Sequence, residues 1–416
     1  MEPSAITPRR VLLAPSGSDG DVFPMVEFGK RLRARGHSVR AASVPSAKPH
    51  FEAAGIPFVE GGLDLRTFLT GKNFGSLSLK ARFDEVRFLR KDVARQFAAL
   101  GVAVREADAV ISGGYNYAAG STAAMRGIPH VHVFHVPNVY PTDTHPCMNV
   151  PWQSLPAWAN RASWRVNGLI QNLMFRGLMN RERRRISLPP IADVWETFTA
   201  NSMLAIPDAL HAAPRDLGPA RPQTSYWFTS EEPALPPELE AFLDRGPRPF
   251  YFGIGSMPSA EKAKTIATIS AVCRAFGTRA IVSKGWAGFD APADPAIFLV
   301  GKVSHARLFE RVEFVVHHGG PGTVSTAARA GAVQILIPHV FDQFYWGRRV
   351  AELGLGPKPI PLAGFSAGAL GERIREIRAV SAYAARTAAM RERLRGADGI
   401  ADFFRPEFQK RWGLAL

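Results

Sequence analysis

The chain has 416 residues, more than one ordinary hydrophobic core holds, so its length points to two domains. Its composition, 46% hydrophobic and 21% charged, excludes extensive disorder, and no apolar run approaches the roughly 20 residues that span a bilayer. A net charge of +15 favours acidic partners, yet no helix-turn-helix, zinc-finger or RNA-binding signature accompanies it, so nucleic acid is not an expected partner.

Arg10–Pro15 is a short apolar run closed by Pro15 and a glycine turn, which suits a first buried strand and not a signal peptide. Val26, Phe28 and Leu32 repeat at helical spacing over Phe23–Arg35, and Gly36 ends that helix. Ser38–Ser43 and Ile56–Val59 read as strands, about 77–100 as a basic amphipathic helix, and Ala109–Ser112 and His130–Phe134 as further strands. His130, His132 and His135 alternate, which suggests one shared face more than a metal cluster. Residues 136–205 break the pattern and set Trp152, Trp158, Trp164 and Trp195 among arginines. A Pro-rich stretch over 211–249 places the domain junction near residue 225. The alternation then restarts with strands at Phe250–Ile254, Arg279–Ser283, Ala296–Val300, Phe314–His317 and Gln334–Ile337. The expected fold is α/β, two Rossmann-like doubly wound parallel sheets facing a cleft, with residues 1–225 and 226–399 as the two domains. Cys147 and Cys273 lie far apart and suggest neither a disulfide framework nor a metal cluster, as in a cytoplasmic protein.

The most informative stretch is VEFVVHHGGPGTVSTAARAGAVQILIPHVFD at 312–342. It reads as a strand, a glycine turn, a small-residue helix and another strand. Glycines admit close approach of a ligand, and a helix start offers bare N–H groups and a positive dipole end, so an anion such as a phosphate belongs there. His317 and His318 should point to opposite sides, one toward the ligand. His317 can add a hydrogen bond and a positive charge.

Three segments, SGSDGDVFPMVEFGKRLRARGHSV near the start, YFGIGSMP at 251–258 and HHGGPGTVSTAARAGAVQILIPHVFDQFYWGRRVAELGLG at 317–356, carry a family likeness. The chain resembles the GT-B glycosyltransferases that act on antibiotic aglycones, sterols and lipids. The resemblance implies inverting, metal-independent transfer from a UDP- or TDP-sugar to a hydroxyl, with no cofactor beyond that co-substrate. Residue by residue, it implies that Gly255, Ser256, His317, Gly319, Gly320, Gly322 and Thr323 bind the diphosphate. Asp342 and Gln343 then contact the donor sugar, and Lys302 and Val303 the nucleobase, with Trp286 as a stacking surface. Asp21 becomes the general base, although Asp19 stands where the family commonly carries arginine. The stretch 400–416 becomes a tail helix returning to the first domain.

Displacing a nucleoside diphosphate needs stabilisation of the leaving phosphate and a base for the incoming hydroxyl. An Asp in the turn after the first strand suits the base; its competing role is to cap the following helix. Ser18, Asp19 and His135 are weaker candidates for acceptor contact, His135 also as a second base. The aromatic and basic 136–205 region suits a hydrophobic acceptor, and arginines beside tryptophans suit peripheral contact with an anionic inner-membrane face. The same tryptophans suit a domain core equally. Two other classes stay open: a nucleotide-sugar epimerase of the same fold, which needs no acceptor, and a catalytically silent binding or activator homologue.

Overall fold

The computed structural model of the chain describes residues 7–64, 79–212, 222–230, 232–254, 262–285, 289 and 294–416. Two parallel sheets form its frame. The first holds β1 (Arg10–Ser16), β2 (Ser38–Ser43), β3 (Phe58–Glu60), β4 (Ala109–Gly114), β5 (His130–Phe134), β6 (Ser202–Ala205) and β7 (Gln223–Thr224), in the order β3-β2-β1-β4-β5-β6-β7. The second holds β8 (Phe250–Gly253), β9 (Ala280–Ser283), β10 (Ile297–Val300), β11 (Phe314–His317) and β12 (Val333–Leu336), in the order β10-β9-β8-β11-β12. Each order reverses once, between β1 and β4 and between β8 and β11. Loops leaving the carboxyl ends at those reversals splay apart and leave a crevice for a ligand.

The central strands read as continuous apolar runs because helices cover both faces. Val11 and Leu13 pack under the helix Asp19–Ala34, while Leu12 and Ala14 face the long helix Leu79–Ala103. The first helix begins at Asp19, four residues before the position that periodicity predicts. Ser18 is its N-cap and Asp21 completes a capping box, a start signal that outweighs Pro24 in the second turn. The tail returns to the first sheet. Ile400 and Phe403 join the cluster around Val11 and Leu13, and Phe403 lies edge-on to Phe28, ring centroids 5.0 Å apart.

The 136–205 region divides its tryptophans. Trp164 and Trp195 are buried in the first domain's core, whereas Trp152 and Trp158 stand in solvent. Among the described residues, no helix is long and apolar enough to cross a membrane.

Candidate active site

β1 ends at Ser16, and Gly17 and Ser18 lead directly into the helix Asp19–Ala34. Ser18 donates its backbone N–H to Asp21 Oδ2 at 2.9 Å and its hydroxyl to the same oxygen at 3.2 Å. A Cβ on Gly17 would land on that carboxylate, so the turn needs glycine there. At the end of β4, Gly114 takes φ +64 beside the Ser16 carbonyl, and the Tyr115 N–H donates to that carbonyl at 2.7 Å. This left-handed step carries Tyr115 over the mouth of β1. Gln96, fully buried, holds the strap: its Nε2 donates to Asp92 Oδ2 at 2.8 Å and Tyr115 O at 3.1 Å, and its Oε1 accepts from Tyr117 N–H at 3.0 Å.

The second half contributes the turn after β11. His317 is fully buried, and its Nδ1 accepts from the Gly319 N–H at 3.2 Å. That bond fixes the tautomer, so Nε2–H donates to Gln334 Oε1 at 3.0 Å. Gln334 faces it because the register pairs Val315 with Gln334, putting residues 315, 317 and 334 on one side of the sheet. Burial lowers the His317 pKa to about 4 against the opposing pull of Gln334. The ring is therefore neutral, without the positive charge expected from its place in the motif, because burial in the sheet disfavours an imidazolium. His318 points elsewhere, as adjacent strand-end residues should. It lies beside the Gly253 backbone, Gly320 and His339, and its buried Nδ1 has no hydrogen-bond partner.

Gly320 is the N-cap of the ten-residue helix Pro321–Ala330, and its extended ψ of 140° suits a proline next in line. Val324 is the first residue to return a helical bond, to Gly320 O, so the Gly322 and Thr323 amides point outward from the helix start. Gly320, Gly322 and Thr323 are all partly open to solvent. A Cβ on Gly322 would meet the Tyr226 hydroxyl at 2.8 Å.

The next turn carries Asp342. Phe341 sits at φ +54, a conformation that disfavours any side chain and costs on the order of 1–3 kcal/mol. It starts the helix Asp342–Glu352. Gln343 braces the turn, its Oε1 accepting from the His339 N–H at 2.8 Å and the Val340 N–H at 3.1 Å. Among the described residues, Asp342 Oδ2 is buried without a hydrogen-bond partner. Of the two residues the resemblance assigns to the sugar, Gln343 has its carbonyl engaged and Asp342 has a free acceptor.

Electrostatics tie the two halves together. Burial pushes Asp21 up to about 6 against the Ser18 hydrogen bonds, with Asp19 adding to the rise. Burial pushes Asp342 up to about 7, and the Asp21 charge lifts it further. Burial also raises Tyr115 well above its usual range, with Asp342 and Asp21 both contributing. Tyr226, beside Gly322, is raised well above its usual range, first by burial and then by the charge of Asp21. Asp21, Tyr226, Tyr115, Asp342 and the start of the 321–330 helix therefore lie close together between the two sheets.

Other predicted residues lie around it. Ser18 is occupied in holding Asp21. Lys302 reaches across to the first half, 3.3 Å from His50 Nε2, while Val303 packs on the cluster around Val300 and Leu308. His135 stands beside Tyr226 and Trp227, held neutral by burial with its pKa lowered to about 3, and both ring nitrogens lack partners. His130 and His132 share one face, each 2.8 Å from Ser112 Oγ. Gly255, Ser256 and Trp286 lie outside the described residues. Sequence reasoning missed Tyr115 and Tyr226. The first follows a strand that the doubly wound order sets beside β1; the second lies in the Pro-rich junction, which has no pattern to mark it.

Residues 291–397 match the model of the erythromycin biosynthesis protein CIII-like C-terminal domain family. Over 365 residues the chain is 38% identical to the vancomycin aglycone glucosyltransferase of Amycolatopsis orientalis, spanning 85% of this chain and 87% of that protein. The chain belongs to this glycosyltransferase family. The glycosyltransferase is also 32% identical to sterol 3-beta-glucosyltransferase UGT80B1 of Arabidopsis thaliana, over 86% of this chain and 61% of that one. Its fold is GT-B: it matches the solved structure of glycosyltransferase VinC in complex with dTDP at a TM-score of 0.68, 17% identity, 94% of this chain and 97% of that one.

Proposed function

We propose that this glycosyltransferase moves a sugar from a TDP- or UDP-linked donor to a hydroxyl of an apolar aglycone or lipid, inverting the anomeric carbon, with no metal and no cofactor. The observation that carries this reading is the coupling of Asp21 and Asp342 from opposite halves, beside the outward amides of Gly322 and Thr323.

In the proposed step the acceptor oxygen attacks the anomeric carbon and the bond to the β-phosphate oxygen breaks on the opposite side. The acceptor proton passes to Asp21, and the released diphosphate carries the charge toward the helix start. Both Ser18 donors converge on Oδ2 of Asp21, leaving Oδ1 to receive the proton. A carboxyl lifted to about 6 is still ionised at neutral pH and is a stronger base than an ordinary aspartate. A positioned base contributes on the order of 10²–10⁴-fold. His317 acts here by holding the glycine turn through the Gly319 N–H and not by charge. Asp342 Oδ2, without a protein partner, suits a sugar hydroxyl as donor. The names of the sterol and vancomycin-aglycone relatives support an apolar, hydroxylated acceptor, and the dTDP bound to VinC supports a thymidine-linked donor.

The test is incubation with TDP-glucose or UDP-glucose and a panel of hydroxylated sterols, macrolides and glycopeptide aglycones in EDTA. Mass spectrometry should find a hexose added, and proton NMR should find the anomeric configuration opposite to the donor's. Retained configuration, or strict dependence on added divalent cation, would overturn the mechanism.

A further inference from the structure

The helix Ala157–Gln171 and the π-helical turn Asn172–Arg176 that continues it present large apolar side chains to solvent. Their buried side carries Trp164 and Phe175 and also two amides: Asn160 is 2% exposed and Asn167 is 3% exposed. Asn160 Nδ2 donates to Asp143 O at 2.8 Å, and Asn167 Oδ1 accepts from Asn149 at 3.4 Å. Their outer side is apolar. Trp158 is 72% exposed, Leu169 64% and Leu173 84%, with Val166 and Ile170 beside them. Residues 158, 165, 169, 173 and 176 recur at i, i+7, i+11, i+15 and i+18, which puts two arginines and three large apolar groups on one face.

A neighbouring element borders the patch. Arg90 of the long helix lies against it, donating to Met174 O at 2.5 Å. Residues 157–176 contain Arg161, Arg165 and Arg176 and no acidic side chain. Arg161 pairs with Asp143, while Arg165 and Arg176 are exposed. A contiguous apolar strip in water is unfavourable unless something covers it. A second copy of the same face would bring like charges together, in a chain already at +15. An anionic apolar surface meets both demands.

We propose that this face docks on the surface of an anionic lipid bilayer, lying in the interfacial plane with Trp158, Leu169 and Leu173 inserted and Arg165 and Arg176 on the headgroups. Docking goes beyond the transfer reading and does not depend on it. The docked face is tied to the catalytic cleft: Gln171 Oε1 accepts from the Tyr117 hydroxyl at 3.0 Å, and Tyr117 lies two residues from Tyr115. A lipid-borne acceptor would thus meet the cleft from the membrane side.

Co-sedimentation of the full chain with phosphatidylglycerol-containing vesicles, against pure phosphatidylcholine vesicles, tests the proposal. The bound fraction should be high on anionic vesicles and fall steeply between about 50 mM and about 500 mM salt. Leu169→Ser with Leu173→Ser should lower the partition coefficient roughly tenfold or more, since two large apolar groups no longer insert. Arg165→Glu with Arg176→Glu should lower it about tenfold on anionic vesicles alone. Both variants should keep the parent's melting temperature and its response to TDP, which separates loss of docking from loss of fold or donor site. Absence of binding to anionic vesicles at low salt, or equal binding by parent and both variants, overturns the proposal. A concentration-dependent dimer that Leu169→Ser with Leu173→Ser abolishes would overturn it in favour of a second copy.

Discussion

Replacing Asp21 by asparagine separates the two roles that its carboxylate holds. Asn Oδ1 accepts the Ser18 N–H as Asp21 Oδ2 does, so the capping box and the turn after β1 persist. The basic oxygen is lost, and turnover should fall on the order of 10²–10⁴-fold while TDP affinity stays within about threefold of the parent. Stability should move the other way. Ionising a carboxyl lifted from 3.8 to about 6 opposes folding by up to about 3 kcal/mol at high pH, and by nearer 1 kcal/mol where solvent reaches the group, as it partly does here. The sign follows from the raised value. The folded chain holds a proton that the unfolded chain has released, so this stability is full below about pH 4 and lost as pH rises through about 6. Asparagine does not titrate, so the variant should gain on the parent between pH 5 and pH 8. Urea denaturation at the two pH values reads this difference directly, and single-turnover assays read the chemistry. Unchanged turnover would remove Asp21 as the base; a variant that loses stability at pH 8 relative to the parent would refute the burial argument.

In a pH–rate profile, kcat/KM should climb through about pH 6 as Asp21 ionises, and Asp21→Asn should lack that limb. Asp342→Asn should raise donor KM several-fold or more and spare the fold, since Asp342 Oδ2 has no protein partner to lose; initial-rate kinetics with varied donor check it. Gly322→Ala should press a methyl onto the Tyr226 hydroxyl and weaken TDP binding about tenfold, and adding Tyr226→Phe should restore most of it, as calorimetry would register. His317→Ala should destabilise the chain by about 2–4 kcal/mol in urea melts, because it leaves a cavity and an unsatisfied Gln334 oxygen inside the sheet, and should also weaken TDP binding by loosening Gly319.

The doubly wound order was legible because apolar runs and glycine stops keep the two periods distinct. Strands Ser38–Ser43, His130–Phe134 and Phe314–His317 have the bounds that their residues suggest. β7, two residues long in a Pro-rich stretch, has no period to read. The 157–185 helices were hard to read because apolar residues lie on both sides, Trp164, Phe175, Leu178 and Met179 inward and Trp158, Leu169 and Leu173 outward, so no single apolar face marks them. In the site, residue types were legible and orientations were not. The motif marked two histidines, but only sheet register reveals that Gln334 shares a face with His317 and bonds it, while burial keeps the ring neutral. Tyr226 and Tyr115 act across the gap between sheets, and no local pattern encodes a contact made by distant turns.

In the proposed reaction the second half seizes a diphosphate on outward amides and helix dipole, unaided by a cation. Isothermal titration of TDP and UDP into the unmodified enzyme in excess EDTA tests it most directly. Saturable one-to-one binding of at least one nucleotide, weakened about tenfold by Gly322→Ala, is the result expected here. Binding that appears only when a divalent cation is restored, or no heat from either nucleotide, would contradict it.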